Sequence, residues 1–262
     1  MSDLYLNQTN FDWSCTNKEF IIFVPNFGRK HLLIPTLKRF KTAISNDRWM
    51  WLVVNDGINE DLSDLEQYNL KWFTFEREPV ERNGCMIRNF IIKRCLSTWL
   101  CTKDPEIILD NDIVSRAIDL EDVIYRPIGM IELQEWETQK IIDNPFINLG
   151  ELNILRQWKV TPHNYQAFHN MVCIRTKRLQ DMKGYEEDFK TGYGWEDVNM
   201  LDRLKKSGVK FIVDSDMTTY HIHHPIIRKF HKTIEINRGV YENMKTNLRV
   251  IANDDTEWGR GV

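Results

Sequence analysis

The chain has 262 residues, 42% of them hydrophobic and 28% charged, which suits one large α/β domain about as well as two small ones and excludes wholesale disorder. A formal net charge of -3 excludes a protein that coats nucleic acid through bulk positive charge, though not one with a local basic patch. The five cysteines are scattered with no CxxC pair, so free, mostly buried thiols in a reducing cytoplasm are expected rather than a structural zinc site.

Residues 1–10 are polar and lack the apolar run of a signal peptide, and nowhere does the chain approach the ~20 apolar residues of a membrane span. The expected setting is therefore cytoplasmic. Phe20-Ile21-Ile22-Phe23-Val24 predicts a fully buried strand, broken by the loop Pro25-Asn26-Phe27-Gly28-Arg29. Leu33, Leu37, Phe40 and Ile44 then fall on one helical face. Trp49 to Val54 predicts a second buried strand ended by Asn55-Asp56-Gly57, and Leu70 to Phe75 a third. Gly84 to Leu100 reads as an amphipathic helix, with Ile87, Ile91, Cys95 and Trp99 at spacings of four. Ile107 to Leu109 predicts a short strand running into Asp110-Asn111-Asp112.

This order implies a mostly parallel sheet covered by helices on both faces. Ligands bind beyond the carboxyl ends of such strands. The loops 25–29, 55–57 and 110–112 are therefore expected to share one crevice, lined by Asn26, Arg29, Asp56, Asp110 and Asp112. Further on, Tyr125 to Leu133 predicts a strand and Glu132 to Ile142 a partial helix. A strand over Asn170 to Ile174, a short helix over Thr176 to Met182 and a helix over Glu196 to Lys206 follow, the last stopped by Gly208. Val209 to Val213 is a last strand. The tail from His223 to Arg249 carries Arg228, Lys229, Lys232, Arg238, Lys245 and Arg249 against Glu235 and Glu242, a local basic surplus.

Three constellations carry chemistry. Asp110-Asn111-Asp112 places two carboxylates where they can reach a divalent cation, since Mg²⁺ and Mn²⁺ take oxygen ligands and leave room for diphosphate. Taken alone, solvated aspartates in a loop or helix cap are the better explanation of an isolated Asp-x-Asp. Gly192-Tyr193-Gly194-Trp195-Glu196-Asp197 is a glycine-rich aromatic loop leading into a helix with two acids in its first turn. The helix dipole accounts for the acids but not for the loop, which reads as a lid with an aromatic platform. Tyr220-His221-Ile222-His223-His224 offers imidazole ligands after a strand. Arg88-Asn89, within the predicted helix from Gly84, can meet a diphosphate or base.

The succession of these pieces resembles the family-2-like glycosyltransferases of the GT-A fold. Residues 168–224 also resemble the carboxyl-terminal region of β-1,4-galactosyltransferases and polypeptide N-acetylgalactosaminyltransferases, through Phe168-His169-Asn170-Met171, Gly184-Tyr185-Glu186-Glu187, Gly-Trp-Glu-Asp and Tyr-His. The resemblance implies one GT-A (Rossmann-like) domain over 1–262, with a nucleotide-binding half (19–112), a metal and acceptor half (113–224) and a basic tail (225–262). Carried over, it implies that Pro25, Asn26, Arg29 and Asp56 border a nucleotide, with Arg88 nearby and Asp110 beside the ribose. Asp112 is the implied ligand of Mn²⁺ or Mg²⁺, with His221, or His223 in competition, as a further ligand. Trp195 and Glu196 shape the sugar and acceptor pocket, and Asp197 is the implied base. A helix N-terminus is expected to lower the pKa of Asp197.

The expected reaction is metal-assisted, inverting transfer from a UDP-sugar or related nucleotide sugar to a glycan or glycolipid hydroxyl. Hydroxymethylated DNA is the alternative acceptor. A nucleotidylyltransferase is the rival enzyme class, disfavoured by a first loop poor in glycine. A non-catalytic nucleotide-sugar-binding module, which needs no base, is the non-enzymatic rival. The sequence leaves the oligomeric state open.

Overall fold

The apolar run from Phe20 forms β1 (Phe20–Asn26), and β2 (Trp49–Asp56) is likewise buried along its whole length. Strands buried on both faces belong at the centre of a sheet. The computed structural model describes residues 11–75, 84–160, 171–189, 194–225, 231–253 and 258–259. β1 pairs in parallel with β2 and with β4 (Trp99–Lys103), and β2 with β3 (Leu70–Phe75). α1 (Lys30–Arg39) and α2 (Gly84–Arg94) make the crossovers.

The remaining elements are β5 (Ile107–Leu109), α3 (Ile113–Ala117), β6 (Val123–Leu133), α4 (Glu137–Asp143), β7 (Ile154–Lys159), β8 (Met171–Arg175), α5 (Thr176–Asp181), α6 (Glu196–Lys206), β9 (Lys210–His221) and α7 (His231–Lys245). The strands lie in the order β3-β2-β1-β4-β8-β6-β9-β5, with β7 added on β6. The sheet is mixed, largely parallel, and has helices on both faces. Phe20, Ile22 and Val24 pack with Leu33 and Leu37 of α1 and with Ile113 and Val114 of α3. Ile21 and Phe23, pointing the other way, pack with Ile91 of α2, Leu201 of α6 and Tyr241 of α7. A smaller cluster seats α4 through Ile141 against Ile222, beside the end of β9.

Two differences from the sequence reading decide where the site lies. The helix from Gly84 ends at Arg94, and Trp99 opens β4. Pairing with β1 and β8 fixes Trp99 as strand despite its helical spacing, and its ring is fully buried. The strand 107–109 is not the fourth parallel strand either. β4 meets antiparallel β8, β8 meets antiparallel β6, and β9 runs parallel to β6, so β9 points the same way as β1. β5 is antiparallel to β9 and therefore points back. Its carboxyl end, with Asp110 and Asp112, lies where the parallel strands begin.

Side chains agree with that direction. Asp110 pairs with Arg39 at the end of α1, and Asp112 accepts from the Ala43 amide in the segment leading to β2, at 2.8 Å. The expected crevice joining 110–112 to Asn26, Arg29 and Asp56 does not form. The strand β7 and the long helix α7 had no counterpart in the sequence reading. Cys85, Cys95, Cys101 and Cys173 are buried free thiols, and Cys15 is half-buried. Among the described residues no helix is long and apolar enough to cross a membrane.

Candidate active site

The carboxyl end of β4 runs into Asp104-Pro105-Glu106, an acid-x-acid segment just before β5. Glu106 is 3% exposed and is met by three cationic or imidazole groups. Arg29, which opens α1 after β1, donates from Nη1 to its Oε1 at 2.7 Å. His224 Nε2 lies 2.9 Å and His221 Nε2 3.7 Å from the same oxygen. The ligand atoms of Glu106, His221 and His224 all lie within 4.8 Å of one another, a grouping that can hold a metal ion.

Donor chemistry supports a cation between them. His224 Nδ1 faces the Pro225 carbonyl at 3.2 Å. With the proton assigned there, Nε2 carries a lone pair pointed at a carboxylate. Two facing acceptors are stable only with a proton or a metal between them. Glu106 Oε2 and His221 Nδ1 are buried and have no protein partner. With no metal bound, a proton on His224 Nε2 fills the place between it and Glu106: burial opposes ionisation of Glu106, but the His224 hydrogen bond then formed and Arg29 outweigh it and hold the carboxyl well below its usual range. Burial pulls His221 down, favouring the neutral imidazole that metals bind.

The second group stands at the start of α6. Trp195 occupies the N-cap with φ 74, a left-handed conformation costly for a bulky residue, and stacks on Tyr241 at 5.1 Å. Glu196 and Asp197 form the first turn, and Arg88 of α2 approaches Glu196 with Nη1–Oε1 at 3.8 Å. Burial and the neighbouring Glu196 push Asp197 up to about 8, against the opposing pull of Arg88. This reverses the expected lowering. Asp104 belongs to the same electrostatic neighbourhood, so the β4 terminus joins the acid pair to the Glu106 cluster.

On the β1–β2 side, Pro25 and Asn26 end β1 and Asp56 ends β2. Asn26 is buried and fully engaged: its amide donates to Asn55 and to Glu60, each at 2.8 Å, and its oxygen accepts from the Arg29 amide. Asn26 therefore sets the turn that aims Arg29 at Glu106.

The structure thus gathers Arg29, His221, Arg88, Glu196 and Asp197 around the strand ends, with Pro25, Asn26 and Asp56 alongside. It does not bring Asp110 or Asp112 there. Asp112 caps α3 instead, accepting from the Ser115 amide at 3.0 Å and the Ser115 hydroxyl at 2.5 Å. His223 stays outside the Glu106 grouping, and Thr138 of α4 donates to its carbonyl at 3.1 Å. Gly192, Tyr193, Phe168 to Asn170, Arg228 and Lys229 lie outside the described residues, and the Lys232 side chain is likewise not described. Sequence reasoning missed Glu106 and Asp104, and it saw His224 in the histidine constellation but preferred His221 and His223 as ligands. The signal was there in an acid-x-acid segment following Trp99-Leu100-Cys101-Thr102, a run suited to a strand.

A family model described as the N-terminal domain of galactosyltransferase matches residues 152–225, a stretch that includes Trp195, Asp197 and both histidines of the cluster. No curated protein matches the sequence significantly. Among solved structures, S. aureus TarS 1-349 in complex with UDP-GlcNAc superposes with a TM-score of 0.56 at 15% identity, over 84% of this chain and 65% of that one. The mannosyltransferase PcManGT from Pyrobaculum calidifontis, in complex with GDP-Man and Mn²⁺, gives 0.52 at 12% identity, over 89% and 66%. GalNAc-T7 with UDP, GalNAc and Mn²⁺ gives 0.52 at 12%, over 79% and 43%. This is the GT-A fold. The chain spans 39% of the longer TarS structure and less than two thirds of each of the other three chains. Within this GT-A sheet the ends of β1, β2, β4 and β9 converge, and the polar groups described above line that convergence.

Proposed function

We propose that the chain is a metal-dependent, inverting glycosyltransferase that moves a sugar from a UDP-sugar or related nucleotide sugar to the hydroxyl of a glycan or glycolipid acceptor. The observation that carries this reading is the pairing, on a GT-A sheet, of a carboxylate–imidazole cluster with a half-buried acid pair coupled to it electrostatically through Asp104. GT-A neighbours in complex with UDP-GlcNAc, with UDP and GalNAc, or with GDP-Man support the donor class.

Glu106, His221 and His224 would hold the divalent cation, in place of the Asp112 that the sequence suggested. A mixed carboxylate–imidazole set suits Mn²⁺ better than Mg²⁺, which prefers an oxygen shell. When bound, the ion supplies neutralising charge for the departing diphosphate. The chain's own residues do the rest. Arg29 holds Glu106 in place, Asn26 sets the turn that aims it, and the strand ends at Pro25 and Asp56 border the nucleoside. Trp195 and Glu196 shape the sugar and acceptor pocket. The acceptor oxygen bonds to the anomeric carbon as the bond to the diphosphate breaks, its electron pair leaving with the diphosphate. Asp197 takes the hydroxyl proton as that bond forms. One displacement at one carbon inverts its configuration.

The test is release of nucleoside diphosphate from a panel of nucleotide sugars, with glycan acceptors, with Mn²⁺ or with chelator. We expect Mn²⁺-dependent release that acceptor accelerates. A binding donor at 100 times its dissociation constant stabilises the fold by ~2.7 kcal/mol in a thermal-shift screen. Full turnover in chelator would overturn the metal reading. Pyrophosphate release would place the enzyme among the nucleotidylyltransferases, and turnover restricted to hydroxymethylated DNA would replace the acceptor class.

A further inference from the structure

Arg88 was expected at the nucleotide, yet the structure turns it toward the acids of α6. Its guanidinium folds back over the start of its own helix: a Cβ on Gly84 would sit 2.6 Å from Nη1. A cation at a helix N-terminus opposes the helix dipole, so something else must hold it there. One support is the Tyr185 ring, whose centroid lies 5.2 Å from the guanidinium carbon. The other is Glu196, 3.8 Å away, with both side chains only 12% exposed. Arg88 Nε and Glu196 Oε2 are buried with no protein partner, so the pair sits in a pocket with polar capacity left over.

The next residue fixes the platform. Asn89 is fully buried and clamps the Tyr185 backbone from both sides, accepting from its amide at 2.7 Å and donating to its carbonyl at 2.8 Å. A side chain on Gly184 (φ +63) would strike Asn89 Oδ1 at 2.0 Å, so this approach requires glycine. Gly84, Arg88, Asn89, Gly184 and Tyr185 thus form one support beneath the first turn of α6.

We infer that Arg88 is a positioning residue: it is the counter-charge that keeps Asp197 available as a base, rather than a ligand of the donor diphosphate. The inference rests on the proposed role of Asp197. The groups that act electrostatically on Asp197 are Glu196, its neighbour on the same helix and the group Arg88 approaches at 3.8 Å, Arg88 and Cys85 on α2, Tyr185, and Asp104 after β4. Burial pushes the Cys85 thiol and the Tyr185 hydroxyl up, so both stay neutral at working pH. Glu196 and Asp104 repel a charge on Asp197, and Arg88 opposes them. Removing Arg88 therefore makes Asp197 harder to ionise.

The experiment compares pH profiles of kcat and the donor KM for wild type, Arg88→Gln, Arg88→Lys and Gly84→Ala with saturating Mn²⁺. An opposite charge at this range typically moves a carboxyl by ~1–3 pH units. We expect the acid limb of kcat in Arg88→Gln to move up by at least ~1 unit, about tenfold in kcat at pH 7, with donor KM within about threefold of wild type. Arg88→Lys should restore most of the limb. Gly84→Ala, which keeps the charge but displaces the guanidinium, should move it part of the way. An unmoved limb in Arg88→Gln and Gly84→Ala, or a tenfold rise in donor KM without a shift, overturns the inference. A wild-type profile with no acid limb overturns the proposed base itself, a separate outcome.

Discussion

Asp197→Asn is expected to act in opposite directions on activity and stability. Asp197 has an ordinary value of 3.8 and is pushed up to about 8 in the fold, by burial and then by Glu196. Between those values the folded chain holds a proton that the unfolded chain has released. The fold therefore loses stability as pH rises through this window, by up to ~1.4 kcal/mol per unit. Asp197 is half-buried, so solvent relaxation reduces the penalty, and we expect ~1–2 kcal/mol in all at pH 8. Asparagine keeps the shape without the charge and recovers that amount, raising Tm by ~2–8 °C for a chain of this size. Turnover should fall by ~10²–10⁴-fold, with donor affinity preserved. The wild-type kcat should rise about tenfold per pH unit up to about 8 and then level, and the variant should lose that limb. Calorimetry at pH 5 and pH 8, with initial rates over the same range, makes the check. A variant less stable than wild type at pH 8, or one with near-normal turnover, refutes the reasoning.

Glu106→Gln removes a carboxylate from the candidate cation cluster, and Mn²⁺ affinity should fall by at least ~100-fold, since even outer partners cost 10–100-fold. Titration calorimetry reads this directly, and unchanged affinity would exclude Glu106 as a ligand. His224→Ala should weaken Mn²⁺ more than His223→Ala, because His223 lies outside the cluster; equal effects would contradict that geometry. Asp112→Ala should cost ~1 kcal/mol through loss of the α3 cap while leaving Mn²⁺ affinity intact. Its ionised form is favoured by Ser115 and Ala43 despite burial, so this contribution is present above 3.8 and fades as pH falls below it. A large loss of metal affinity in Asp112→Ala would return it to the metal centre.

The left half of the sheet was legible because its strands are continuous apolar runs and their loops carry Pro, Gly and Asn-Asp. α6 was legible to the residue, Glu196–Lys206, through its acids at one end and Gly208 beyond the other. Residues 99–103 were not, because Ile87, Ile91, Cys95 and Trp99 keep helical spacing across a break that only the pairing of β4 with β1 reveals. A short apolar run such as Ile107 to Leu109 carries no sign of its direction. Strand direction decided the site: it sent Asp110 and Asp112 to one end of the sheet and left Glu106 at the other.

The Asp197 reversal shows a second limit, one of magnitude rather than topology. Sequence places the residue in a first helical turn, and the dipole there favours a carboxylate by ~0.3–1 kcal/mol, less than one pH unit. What outweighs it is not local: α2 and Tyr185 shield the turn from water, the end of β4 brings Asp104, and with the adjacent Glu196 these exceed the opposing pull of Arg88. Burying one ionised carboxyl beside another is worth several pH units, so tertiary packing sets the sign. Perturbed carboxyls of this kind gather at functional sites. The same packing that makes Asp197 hard to ionise also makes it a stronger base once ionised, as an attacking hydroxyl requires near neutral pH.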